Sequence, residues 1–262
     1  PLFFFHHQAA IPAPLWSRGL GDVYKRQTLG WEVAQILSVT DYICEAKLIS
    51  NEKNIKILFE NLKWTKRKNF NDLVEKGDLI FLKKNKKGNW NLKQLPRVNG
   101  GIVVMNPHNG EIKALVGGYS YKSSEFNRVT QAKRQPGSAF KPIVYASALE
   151  NGYLPNTLIL DAPFVSEQGA GLKDWKPENY GKKFYGPSTL RKGIEKSRNL
   201  MTVRIAQNLG FDKISAISKN LGVYETTPEL LSVSLGSNET TLLKLTNAYC
   251  TFVNGGKKVQ SK

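Results

Sequence analysis

Between residues 31 and 96 apolar and polar side chains alternate in short runs. WEVAQILSVTDYICEAKLIS (31–50) keeps a period near two over much of its length, and NIKILF puts Ile55, Ile57 and Phe59 on one face. A period of two is the mark of a strand with one buried face. GDLIFLKK follows a Gly-Asp turn signal, and GNWNLKQLP follows the Lys-rich turn KKNKKG. Short strands separated by such turns predict a small β-barrel.

From Gly100 the period changes. GIVVMN and EIKALVGG read as two strands joined by the turn PHNG. After a polar stretch, Phe140, Val144, Ser147 and Ala148 recur at three- and four-residue spacing, which predicts a helix capped by Gly152. Residues 153–187 are irregular. A helix starts at Ser188 or Thr189 and carries Leu190 and Ile194; another runs from Asn199 to Leu209 and stops at Gly210. Ile214, Ile217 and Leu221 form a stripe closing at Gly222, and Leu242, Leu245, Tyr249 and Phe252 form one closing at Gly255. A strand pair followed mostly by helices, with a long loop inside, predicts an α+β arrangement.

The expected organisation is therefore a β domain over 28–97 and an α+β domain over 98–262. Residues 1–27 have no basic start, and their only apolar run is Leu2 to Phe5. They read as an unpatterned, non-native end and not as a signal peptide. The finish, GGKKVQSK, lacks a closing element, so the chain is expected to be a piece of a longer protein. No run approaches the roughly 20 apolar residues of a spanning helix.

Composition changes the picture little. Of the 262 residues 40% are hydrophobic and 23% charged, which excludes wholesale disorder. The net charge of +17 divides as +2, +6 and +9 over residues 1–27, 28–99 and 100–262. No segment is a basic tail, and the surplus is mostly Lys. Arg is the residue suited to bidentate readout of bases and phosphates, so this charge reads as solvated faces and argues against a nucleic-acid reader. Cys44 and Cys250 are 206 positions apart, neither a disulfide framework nor a zinc pattern. Each is expected to pack as a small hydrophobe.

Candidate chemistry concentrates in RQPGSAFKP (134–142). Pro136 and Gly137 make a turn and a helix is expected from Ser138. Ser138 and Lys141, three apart, then share a helix face. The helix N-terminus offers free N–H groups and positive potential to an oxyanion. A Lys beside a Ser in a dry pocket can act as base. Ser50-Asn51-Glu52-Lys53 has the same spacing but lies between strands and reads as surface. EKSRN sets Ser197 and Asn199 at a helix–helix junction; Asn199 could equally be the N-cap of the helix that follows. Ser218-Lys219-Asn220 has the same form but reads as a helix end.

Together, S-x-x-K and Ser-x-Asn resemble the penicillin-recognising serine enzymes, whose third element is a Lys-Thr-Gly strand. The resemblance extends well beyond the short motifs. GGIVVMNPHNGEIKALVGG (100–118), FNRVTQAKRQPGSAFKPIVYASALE (126–150), DWKPENYGKKFYGPSTLRKGIEKSRNLMTVRIAQNLG (174–210) and SVSLGSNETTLLKLTNAYCTFVNGGKKV (232–259) are similar to the transpeptidase domain of class A, bifunctional penicillin-binding proteins. The 28–95 region resembles the OB-like insertion of Gram-negative members.

The resemblance implies an α+β transpeptidase domain behind an OB-like β domain, with no cofactor and no metal. It implies Ser138 as nucleophile toward the penultimate D-Ala of a peptidoglycan stem peptide, with its backbone N–H as half of the oxyanion hole. Lys141 would be the base, Ser197 a proton relay, and Asn199 a hydrogen-bond partner of both substrate and Lys141. Trp175, Asn179 and Tyr180 of DWKPENY would line the donor-peptide cleft, or else pack their own loop. Implied partners are stem peptides, β-lactams and glycan strands, with a regulatory protein on the OB-like region as a further option. The implied location is the periplasmic side of a Gram-negative inner membrane, on a membrane-anchored parent. No Lys-Thr-Gly or Lys-Ser-Gly occurs in the 262 residues, so the isolated chain is expected to have little turnover.

Two other readings compete. A β-lactamase needs a base for hydrolytic water, for which Glu178 is the one notable candidate. A glycan- or nucleic-acid-binding module would use Trp31, Trp64 and Trp90 as stacking platforms; the favoured alternative is that these rings fill the interior of the small barrel.

Overall fold

The computed structural model describes residues 30–94, 96, 98–121, 124–167 and 173–262. The expectation of a non-native end at 1–27 lies outside them. The chain divides into two compact units between Val98 and Asn99, and each is described by itself.

In the first unit, β1 (Glu32–Val39), β2 (Ile43–Leu48), β3 (Asn54–Leu58), β4 (Leu79–Lys84) and β5 (Trp90–Lys93) form one antiparallel sheet in the order β3-β2-β1-β4-β5. The alternation read from the sequence is the pleat itself. Ala34 and Ile36, Cys44, Ala46 and Leu48, Ile55 and Ile57, and Ile80 and Leu82 all point to one buried face. A bulge at Leu37 in β1 shifts the register between Ile36 and Ser38, bending the strand. The expected barrel is only half formed, because β3 and β5 remain edges with no ladder between them. The connection 59–78, which includes the 3-10 helix Phe59–Thr65, covers the sheet with Leu62, Phe70 and Val74.

The tryptophans do not fill this interior as expected. Trp64 is exposed. Trp31 lies at the margin against Phe81, with ring centroids 6.0 Å apart. Trp90 only abuts the core and carries the Lys84 ammonium 5.0 Å above its ring. An open sheet covered by one segment leaves a thin layer. Aliphatic side chains and Phe70 suffice to fill it.

In the second unit, β6 (Ile102–Met105) and β7 (Ile112–Val116) form the expected hairpin. The helices are α1 (Lys141–Glu150), α2 (Leu190–Glu195), α3 (Asn199–Leu209), α4 (Phe211–Asn220) and α5 (Leu242–Val253). Thr189 caps α2 by accepting from the Lys192 N–H at 3.2 Å, as its sequence position predicts. The core joins Phe140, Ile143, Val144 and Ala148 to Met201, Ile205, Ala206 and Leu209, with Ile214 and Ala248 closing it. α3 is thus surrounded by apolar neighbours and held rigidly. Cys44 and Cys250 are both buried and free.

One element in the irregular stretch escaped the sequence reading. β8 (Leu158–Asp161) pairs antiparallel with β9 (Gly186–Thr189). Four-residue strands 24 residues apart show too few periods to be legible. Their pairing closes the 162–185 loop at its base.

Candidate active site

Ser138 does not sit in the α-helix proper. It lies in a 3-10 turn, Gly137–Phe140, and α1 begins at Lys141. In 3-10 geometry side chains at i and i+3 eclipse one another, so Ser138 and Lys141 stay on one face. The Lys141 N–H donates to Ser138 O. Pro142, the second residue of α1, lacks an N–H where none is required. Ser138 is exposed. Its hydroxyl makes no hydrogen bond, and its N–H donates to no acceptor, among the described residues. The positive end of α1 lies behind that N–H.

The turn is braced from far along the chain. Arg134 and Thr240 exchange both backbone hydrogen bonds, at 2.9 and 3.0 Å, and the Gly137 N–H donates to Gly236 O at 3.1 Å. The Tyr249 hydroxyl of α5 donates to Ala139 O at 2.7 Å.

Lys141 is buried, at 1% exposure. Its Nζ donates to Ser197 O at 2.7 Å, Ser197 Oγ at 3.0 Å and Asn199 Oδ1 at 2.6 Å. Burial lowers its pKa from the usual 10.5 to about 8. A neutral amine keeps two N–H donors and one lone pair. Of the three partners, Ser197 O and Asn199 Oδ1 can only accept. The lone pair is therefore left for a hydroxyl, and Ser197 Oγ is the hydroxyl in contact.

Ser197 joins α2 to α3 with φ +50. A non-glycine residue in the left-handed region is strained and persists where surroundings enforce it. Here the twist aims both the carbonyl and the hydroxyl of Ser197 at one amine.

Asn199 is the first residue of α3, yet it does not cap that helix. Its Oδ1 faces Lys141 and its Nδ2 donates to Glu178 O at 2.7 Å. The N-cap reading of this residue is corrected: Asn179, 20 residues earlier, caps α3 by accepting from the N–H groups of Asn199 and Leu200 at 2.9 and 3.4 Å. Both ends of the Asn199 amide are occupied within the protein. The expected contact with substrate backbone would require its Nδ2 to leave Glu178.

The three loop residues separate. Tyr180 is 87% exposed. Trp175 is half-buried, bridges to Ser166 by two backbone hydrogen bonds and sets its ring edge-on to Phe164. Asn179 is buried beneath the site, and its whole amide is engaged. Glu178 turns its carbonyl, not its carboxylate, to Asn199. Sequence reasoning missed Asp161, which is fully buried on β8 and accepts from Asn179 Nδ2 at 2.7 Å. It missed Arg198 too, whose Nε is 3.7 Å from Asp161 Oδ2 and whose guanidinium stacks on Tyr185.

The site is thus a buried amine joined to two polar side chains, one turn after an exposed serine. Residues 100–262 match the family model of the penicillin-binding protein transpeptidase domain. The chain belongs to the penicillin-binding protein transpeptidase family. Residues 17–98 match the penicillin-binding protein OB-like domain. Penicillin-binding protein 1A of Rickettsia felis is 44% identical over 255 residues, covering 96% of this chain and 32% of that protein. The chain thus spans about a third of the length of the curated relatives it matches. The crystal structure of penicillin-binding protein 1A from Haemophilus influenzae superposes with TM-score 0.78 at 31% identity, over 88% of this chain and 34% of that one. PonA1 of Mycobacterium tuberculosis in complex with penicillin V shares the fold, with TM-score 0.54 at 21% identity, over 63% of this chain and 45% of that one. Among the described residues no helix is long and apolar enough to cross a membrane.

Proposed function

We propose that the second unit is a serine-type peptidoglycan D,D-transpeptidase and a target of β-lactams. The observation that carries this is the buried Lys141 amine, one 3-10 turn after Ser138 and bonded to Ser197 and Asn199. The family membership supports the same reaction class.

Neutral Lys141 turns its lone pair from the Ser197 hydroxyl to that of Ser138 and takes its proton as Oγ attacks the carbonyl of the penultimate D-Ala. The negative oxygen that forms is met by the free Ser138 N–H. The C–N bond to the terminal D-Ala then breaks, and the proton reaches the leaving amine through Ser197 Oγ, the one partner of Nζ that can both accept and donate. The amine of a neighbouring stem peptide attacks the acyl-serine, giving the cross-link and returning the proton. A β-lactam acylates the same serine by opening its ring. The hydrolase reading is not favoured: the contact that Glu178 makes with Asn199 is through its backbone carbonyl, which is no base.

In the whole protein we place this portion in the periplasm beside an inner-membrane anchor, with glycan strands as substrate. The OB-like unit is then a docking region for a regulatory protein. The chain alone is expected to turn over poorly, because Lys-Thr-Gly is absent from its 262 residues.

The test is covalent labelling by a penicillin of this chain and of a chimera carrying a relative's Lys-Thr-Gly strand. Mass spectrometry should find the adduct on the peptide containing Ser138. An adduct elsewhere, or none on the chimera, sinks the assignment.

The pH dependence follows from Lys141. Its proton must be absent for it to act as base, and burial sets its pKa at about 8. The acylation rate should therefore rise with pH through about 8 and level off above it. A rate that is flat across this window would show that another group is the base.

A further inference from the structure

We infer that Asn179 is a positioning residue for acylation: acting through the first turn of α3, it holds Asn199 against Lys141. The inference rests on the transpeptidase reading and concerns a residue whose place in the sequence suggested cleft lining.

The geometry is a continuous chain of hydrogen bonds. Asp161 on β8 accepts from Asn179 Nδ2 at 2.7 Å, and Lys183 O accepts from the same nitrogen at 2.9 Å. Asn179 Oδ1 accepts from the N–H groups of Asn199 and Leu200 at 2.9 and 3.4 Å. Asn199 Oδ1 then accepts from Lys141 Nζ at 2.6 Å. An amide has two donors and two acceptor lone pairs, and Asn179 uses all four while buried. The amide cannot turn over. Reversed, it would set an N–H₂ against two helix N–H groups and an oxygen against a carboxylate and a carbonyl. Asp161 and Lys183 O thus fix which end of Asn179 meets the helix.

This arrangement explains why Asn199 is free to face Lys141. An Asn at a helix start is among the preferred caps of its own first turn. Here Arg198, at the N-cap position, supplies no side-chain cap, and the two N–H groups are satisfied from the 173–185 loop instead. With those groups occupied, nothing draws the Asn199 side chain back onto its own helix. The charged groups along this chain are Asp161, Arg198 at 3.7 Å from it, Arg204, whose guanidinium donates to the carbonyls of Leu160 and Ala162 on either side of Asp161, and Lys141 itself. Tyr185 covers Arg198 on its outer side.

Two variants separate positioning from mere support of the fold. Asn179→Ala removes both the acceptor on α3 and the donor to Asp161. Asn179→Asp keeps the acceptor on α3, and its carboxyl can share one proton with Asp161, as close carboxyl pairs do. The measurements are the limiting acylation rate per folded molecule, the affinity for penicillin before acylation, and the titration of Lys141 followed by the NMR shift of its ε-carbon.

Asn179→Ala is expected to lower the limiting rate by up to about 10²-fold with little change in the prior affinity. Its Lys141 midpoint should move upward, because water reaches an amine no longer held by Asn199. Asn179→Asp should return both quantities toward the unmodified chain. An Asn179→Ala protein that melts earlier yet keeps its acylation rate and Lys141 midpoint would overturn the inference. If the alanine variant does not fold, Asn179→Asp decides: a near-normal rate and midpoint uphold positioning, and their loss in a folded protein overturns it. Should the unmodified chain and the chimera take no penicillin, the functional reading fails, and the Lys141 titration still tests the positioning on its own.

Discussion

Replacing Lys141 by methionine is expected to slow acylation of Ser138 by about 10²–10⁴-fold, the range general-base removal commonly costs. Methionine matches the length of the lysine stem and fills the same buried slot, so the fold should survive. Two opposing terms act on stability. The substitution removes an amine whose charge is penalised by burial, as its lowered pKa records. It also leaves Ser197 O and Asn199 Oδ1 without their donor, at about 1–3 kcal/mol for each acceptor that water cannot reach. Because Ser197 and Asn199 are not themselves fully buried, water can compensate in part, and the net change should be small. Residual acylation should lose its rise near pH 8, since the titrating group is gone. Rates taken by stopped flow across pH, with circular dichroism to verify folding, would check this. A methionine variant that acylates normally would exclude Lys141 as the base.

The second large effect is expected at Gly236. This residue has φ +79, and a Cβ there would overlap Gly137 O and lie 2.5 Å from Gly137 N and 2.7 Å from Gly137 C. All three are backbone atoms that cannot rotate aside. Gly236→Ala must therefore push the Gly137 turn away, break the 3.1 Å bond from Gly137 N–H to Gly236 O, and move Ser138, the next residue. Misplacement by about 1 Å can cost on the order of 10²-fold in rate, so acylation per folded molecule should fall by at least that. Stability should fall by more than about 4 kcal/mol, in the range reserved for strain at special backbone positions. Gly255 is the control. It has the same φ of +79, but a Cβ added there would meet nothing within 4 Å, so Gly255→Ala carries the left-handed strain of roughly 1–2 kcal/mol without the clash. Thermal melts and labelling rates on both variants separate clash from strain. Equal effects at the two sites would refute the bracing role of Gly236.

Both predictions rest on residues of different legibility. Ser138 and Lys141 announce themselves because their relation is local: three positions apart after Pro-Gly, they stay on one face whether the turn is α or 3-10. Ser197 and Asn199 were visible as a pair, but their purpose was ambiguous, since Asn is as good a cap as a catalytic partner. The cap itself comes from another loop, through the side chain of Asn179. Asn179 sits 20 positions from Asn199 and 18 from Asp161, and nothing in its neighbourhood marks it as a cap. Gly236 and Gly137 are 99 positions apart and meet only through backbone.

The sequence by itself determined the periodicities, and through them the sheet of the first unit, the helices of the second and the motifs on a helix start. These follow from side-chain spacing along one element, which is written in consecutive residues. The half-open sheet, the exposure of Trp64, the short β8–β9 pair and the burial of Lys141 were decided only by the tertiary structure. So were the caps and braces that hold Ser138, Lys141 and Asn199 together. Each depends on which distant segment supplies a hydrogen bond or excludes water. Elements can be read from local spacing. The lowered pKa of Lys141 and its grip on Asn199 arise from packing between elements, which no single stretch of chain records.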